Sequence, residues 1–175
     1  MPIKTSRSLR YVCERLQLEL TAKNEKRFMD QYAKLPAFDD SQLVLKTLKA
    51  RGIATAILSN SSREMLATVV ESNGLKPYVD KVLTVEEVKL FKTSPQSYQL
   101  LIDAFRLKKE KILFVSSNAW DAVGASWFGP DVFWVNRQRW PFEEIGNQPE
   151  FEGNDLSSVL DVMEPADGPP RAATS

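Results

Sequence analysis

The chain has 175 residues, 43% of them hydrophobic and 26% charged, which is the size and composition of one compact globular domain. Lysine plus arginine (23) balances aspartate plus glutamate (23), which argues against nucleic acid or an anionic membrane as a partner. One cysteine, Cys13, and no histidine exclude an intrachain disulfide, a thiolate or imidazole zinc site, and histidine-based catalysis.

Met1 to Arg7 is basic and hydroxyl-rich, but no apolar signal core follows and no run reaches membrane-spanning length. A cytoplasmic location is therefore expected, with a transit peptide as the lesser alternative. Leu9, Val12, Cys13 and Leu16 recur at helical spacing, as do Phe28, Met29 and Tyr32, which predicts amphipathic helices over ~7–17 and ~23–34. Leu35-Pro36 ends the second.

From Asp40 the pattern becomes alternating helix and strand. A helix over ~41–50 is closed by Gly52 and followed by a strand from Ile53 to Leu58. The spacing of Ser61 and Glu64 fits a capping box for a helix with Met65, Leu66, Val69 and Val70, stopped at Gly74. Lys81 to Val85 reads as a strand, and Ser94-Pro95 as the start of a helix burying Tyr98, Leu101, Ile102 and Phe105. Lys111 to Val115 is a strand, Asn118 to Phe128 a helix ended by Gly129-Pro130, and Val132 to Val135 a strand. Four strands alternating with helices predict an α/β fold with a Rossmann-like, doubly wound parallel sheet. After Met163 the chain is rich in proline, glycine and small residues, so 164–175 is expected to be a disordered tail.

Open parallel sheets put their chemistry at strand tips, and two tips here end in polar side chains. Ser59 and Asn60 lie between a strand and a helix start, where hydroxyl, amide and backbone N–H groups converge on an anion or simply cap the helix. Lys92 is either a solvated loop lysine or an ammonium held near the sheet's carboxyl edge. At the second tip, Ser116-Ser117-Asn118-Ala119-Trp120-Asp121, Asp121 can turn toward a site or cap the helix, and Trp120 can wall a small-molecule pocket.

At these residues the chain resembles the haloacid dehalogenase superfamily, specifically its type II (S)-2-haloacid dehalogenases. The resemblance rests on Ile57-Leu58-Ser59-Asn60, Lys92 with Tyr98, Phe114 to Ala122, and Trp134-Val135-Asn136-Arg137, and runs from about Leu9 to Met163. It implies a hydrolase that removes halide from C2 of a small 2-haloalkanoate through an aspartyl ester, with no cofactor. Ser59 and Asn60 would bind the substrate carboxylate and help hold the halide, and Lys92 would pair with the nucleophilic carboxylate. Ser116 would hydrogen-bond the nucleophile, Asn118 and Asp121 would position Lys92 and the water, and Trp120 and Tyr98 would line or brace the pocket. Ser116 stands where related phosphatases place a magnesium-binding acid, so no metal is expected. The resemblance further implies a homodimer through cap helices such as the one carrying Phe28 and Tyr32.

The nucleophile's motif, an aspartate followed by Gly-Thr at the end of a first strand, is not found. The nearest string, Ala37-Phe38-Asp39-Asp40-Ser41, has neither the strand nor the turn. The expected organisation is a partial helical cap over 1–38 and an α/β core over 39–163 from which the central nucleophile strand is absent, an apparent N-terminal truncation. Two strand edges would then be left unpaired. The chain as it stands is expected to be inactive. The alternatives are a non-catalytic remnant that binds or interacts, and a phosphatase of the same superfamily.

Overall fold

A computed structural model describes residues 2–32 and 34–163, the first three of these as backbone alone. The stretch expected to be a tail, 164–175, lies outside the described residues. Helices α1 (Pro2–Arg15) and α2 (Ala22–Tyr32) pack on each other, joined by an ion pair of 2.9 Å between Arg10 and Glu25. Their apolar stripes remain largely open. α2 buries no residue, and Tyr11, Val12, Leu16, Phe28 and Tyr32 are exposed while Cys13 is covered.

α3 (Ser41–Ala50) buries Val44 and Leu48, one turn apart, and is followed by β1 (Ala56–Ser59). β1 starts later than its apolar run because the backbone at Thr55 is taken by Asp80. The Thr55 N–H donates to the Asp80 carboxylate at 2.8 Å, and its carbonyl accepts from the Asp80 N–H at 3.0 Å. α4 (Arg63–Ser72) leads to β2 (Lys81–Thr84), which pairs in parallel with β1 from Ala56↔Lys81 to Ser59↔Thr84.

α5 (Pro95–Phe105) precedes β3 (Leu113–Ser116), α6 (Ala119–Phe128) and β4 (Asp131–Val135). α6 ends where Gly129 takes φ +112°, a left-handed turn suited to glycine. β5 (Phe151–Gly153) and the short helix α7 (Val159–Val162) close the described chain. β3, β4 and β5 pair in parallel, with Ser116 beside Trp134 and Trp134 beside Glu152.

The expected single sheet is thus two. The fold is α/β and every strand pair is parallel, but β1–β2 forms one sheet and β3–β4–β5 another, and β1 and β3 are both end strands. Among the described residues the edges of β1 and β3 expected to be unpaired are so, and they do not pair with each other. Side chains join the sheets instead. Tyr98 and Leu101 of α5, Phe114 of β3, Ala122 and Ala125 of α6 and Val132 of β4 form a buried cluster against which Ala56, Leu58 and Leu83 of the other sheet pack. On the opposite face Phe133 and Val135 pack with Leu113, Val115, Phe151 and Val159. Period-two alternation along β3 and β4 produces the two faces. A fully covered ring such as Phe133, 1% exposed, contributes about 2–3 kcal/mol by burial. No helix among the described residues is long and apolar enough to cross a membrane.

Candidate active site

β3 ends at Ser116, whose place in the alternation sets it on the same face as Phe114, under α5 and α6. In the first turn of α6, Asp121 gathers three donors on its carboxylate. Lys92 Nζ lies 2.8 Å from Oδ2, Ser116 Oγ donates to the same oxygen at 3.0 Å, and the Tyr98 hydroxyl donates to Oδ1 at 2.9 Å. The Lys92 and Asp121 side chains are 9% and 4% exposed, so the solvated-loop alternative for Lys92 is ruled out. Taking both charges out of water is costly, and the extra hydroxyl donors are what make such a pair tolerable. Lys92 Nζ also sits 5.2 Å from the centroid of the Phe114 ring. Burial, and then the adjacent Asp121 charge and its hydrogen bond, push the Tyr98 phenol far above its ordinary value, so Tyr98 is a permanent donor.

The first strand tip reaches this cluster through backbone. Asn60 Oδ1 accepts from the Lys92 N–H at 3.0 Å, and Ser59 Oγ accepts from the Ser61 N–H at 3.0 Å. Capping falls to a different residue: Ser62 Oγ accepts from the Met65 N–H, and α4 begins at Arg63. The capping box expected at Ser61 is therefore not formed: the N-cap lies one position later, with Met65 at N3, and the Ser61 carbonyl is held by Thr84 Oγ1 at 2.6 Å. Ser59 and Asn60, which precede the cap, are left for other work.

Asn118 and Trp120 are placed differently from the rest. Asn118 occupies the N-cap of α6, where its carbonyl accepts from Asp121 and Ala122 and its side chain makes no capping bond. It is exposed, and its side chain has no hydrogen bond to Lys92 or Asp121. Trp120 is 41% exposed on the first turn of α6, outside the Lys92–Asp121 contacts. Ser94 precedes Pro95 as expected, but its hydroxyl turns to Gln96 instead of the helix backbone.

Asp40 is fully engaged elsewhere. Arg137 grips both its oxygens at 2.9 Å while stacking 4.0 Å over Phe38, and the Leu156 N–H donates to Oδ2 at 2.8 Å. Burial works to raise the Asp40 carboxyl, and the Arg137 and Leu156 hydrogen bonds outweigh it, holding the group below its ordinary range. The acidic string 37–41 therefore ties α3 to the tip of β4 and the C-terminal loop. Among the described residues no group of three or more His, Cys, Asp or Glu side chains could hold a metal ion.

Residues 4–129, which include both strand tips and the Lys92–Asp121 pair, match a family of hydrolases described as haloacid dehalogenase-like. The chain belongs to the haloacid dehalogenase-like hydrolase family. It is 40% identical to the (S)-2-haloacid dehalogenase of Pseudomonas sp. (strain YL) over 94% of this chain and 71% of that protein. A crystal structure of an L-2-haloacid dehalogenase superposes with a TM-score of 0.88 at 42% identity, covering 90% of this chain and 70% of the other. The L-2-haloacid dehalogenase of Xanthobacter autotrophicus with chloropropionic acid covalently bound matches with a TM-score of 0.81 at 27% identity, covering 90% and 73%.

In this family member, Lys92, Tyr98, Ser116 and Asp121 form one buried network, with Asn60 joined to it through the Lys92 backbone. One participant was not anticipated from the sequence. Ser97, completely buried, donates to the Leu90 carbonyl at 2.7 Å and pins the loop that carries Lys92. Its signal was a hydroxyl within the apolar stripe of α5, next to Tyr98 and one turn before Leu101.

Proposed function

We propose that the site of this haloacid dehalogenase-like hydrolase cleaves the carbon–halogen bond of a short 2-haloalkanoate through an ester intermediate. The observation that carries the proposal is the Lys92 ammonium, buried on Asp121. An ammonium has three donors and Asp121 uses one, so Lys92 can also hold an attacking carboxylate ionised. That carboxylate forms a C–O bond at C2 as the C–halogen electron pair leaves with the halide. Water then adds to the ester carbonyl, releasing the 2-hydroxyalkanoate and restoring the carboxylate. Ser59 and Asn60 would hold the substrate's own carboxylate, whose charge would otherwise repel the attacker.

Asp121 is a positioning group in this scheme, because its two oxygens already accept from Lys92, Ser116 and Tyr98. Ser116 would donate to the nucleophile, Asn118 would help place the water, and Trp120 would flank the pocket. Among the described residues no second carboxylate is hydrogen-bonded to Lys92. We assign the attacker to a strand seated against the free edges of β1 and β3. The covalently bound chloropropionic acid in the Xanthobacter relative supports an ester route. The same proposal includes residues 1–38 as part of a helical cap, 39–163 as the core, a homodimer through exposed Phe28 and Tyr32 of α2, and a cytoplasmic setting.

The test is halide release from 2-chloropropionate. The 175-residue chain should release none, whereas the chain joined downstream of a strand carrying the aspartate and Gly-Thr motif that the resemblance implies should release halide and lose that ability on Lys92→Met. A joined, folded protein with no release would overturn the assignment. Binding of 2-chloropropionate without turnover by that protein would instead mark a binding module, which the lack of a second carboxylate at Lys92 favours.

A further inference from the structure

Gly124 lies in the middle of α6, buried, where a glycine weakens the helix relative to alanine. Space explains its presence. A Cβ built at this position would lie 2.6 Å from Thr93 Cγ2, 2.8 Å from Thr93 Cβ and 2.7 Å from the Tyr98 hydroxyl oxygen. Neither neighbour can avoid it by a change of rotamer. Thr93 Cβ is fixed to its own backbone, and the Tyr98 ring is held between Phe114 and Phe128, with ring centroids 5.4 Å and 5.8 Å away.

We propose that Gly124 is a further positioning residue of the site: its missing side chain lets Tyr98 and the Lys92–Thr93 loop approach α6 closely enough for Lys92 and Tyr98 to meet on Asp121. The proposal rests on the dehalogenase assignment for its meaning, though not for its geometry. The three atoms nearest to a side chain at position 124 belong to Thr93 and Tyr98. Gly124 acts through Thr93, the residue after Lys92, and through the hydroxyl that donates to Asp121 Oδ1. Thr93 is exposed, so a methyl group at 124 pushes the loop outward and carries Lys92 away from Asp121. A purely architectural glycine would alter stability and leave the ammonium where it is.

The experiment is Gly124→Ala in the 175-residue chain, read by proton exchange of the Lys92 ammonium in nitrogen NMR, with the signal identified by its loss in Lys92→Met. Exchange should quicken about tenfold, the scale expected from an ordinary overpacking cost. An alanine protein whose Lys92 ammonium exchanges like the parent's overturns the proposal, whatever its urea midpoint. Should the alanine protein not fold, Gly124→Ala/Thr93→Gly removes two of the three close atoms. It should fold and still show quickened exchange from the remaining Tyr98 contact, and either failure to fold or unchanged exchange counts against the idea. Because no substrate is involved, failure of the dehalogenase assignment leaves this result standing. Halide release with an unmoved ammonium defeats this inference alone.

Discussion

Two ion pairs of almost equal length sit in two very different parts of this molecule. Lys92–Asp121 spans 2.8 Å inside the α/β half with both side chains nearly covered, whereas Arg10–Glu25 spans 2.9 Å on the α1–α2 pair with the arginine 65% exposed. Separation therefore says little about consequence. The first pair sits among Ser116, Tyr98 and Phe114, and losing either partner strands a charge in a low-dielectric setting. The second can trade its partner for water. Asp40–Arg137, with side chains 15% and 24% exposed, lies between these extremes.

The contrast can be broken most directly at Asp121. Asp121→Ala should cost about 3–5 kcal/mol in urea unfolding, because Lys92 stays buried with no counter-charge. A cost near that of an ordinary surface substitution would erase the distinction between the two regions. Asp40→Asn should cost about 1–2 kcal/mol at neutral pH. The Asp40 carboxyl is depressed in the folded chain, so its contribution is complete above the ordinary carboxylate range and is lost as pH falls through the depressed value. The gap between parent and Asp40→Asn in urea midpoint should accordingly narrow as pH falls below the ordinary carboxylate range. Last, Arg10→Ala should leave the urea midpoint unmoved within error, and a clear drop would show the helical pair to be more tightly coupled to the rest than its exposure indicates.

Much of this was legible in the residues. Helical periodicity located all the longer helices, including α1 and α2, because one-sided spacing is a local property. It could not say whether those stripes find cover, and here Phe28 and Tyr32 do not. Lys92, Ser116, Tyr98 and Asp121 were found through the resemblance, since Lys92 taken alone read more readily as a solvated loop lysine than as a site residue. The Asp40–Arg137 pair went unseen because the two residues are 97 positions apart, and no local pattern encodes such a contact. β5 went unseen for a related reason: three residues around Glu152 carry too little alternation to register as a strand. Gly124 was invisible because what matters there is the absence of atoms against a neighbouring element.

The interrupted sheet has a mechanical consequence. With no amide ladder from β1 to β3, the two strand groups act as separate plates, and α5 is the rivet between them, since it touches β1, β2 and α6. Loosening that rivet would let the plates slide before either came apart, and the first thing misaligned would be the Asn60 amide on one plate against the Asp121 carboxylate on the other.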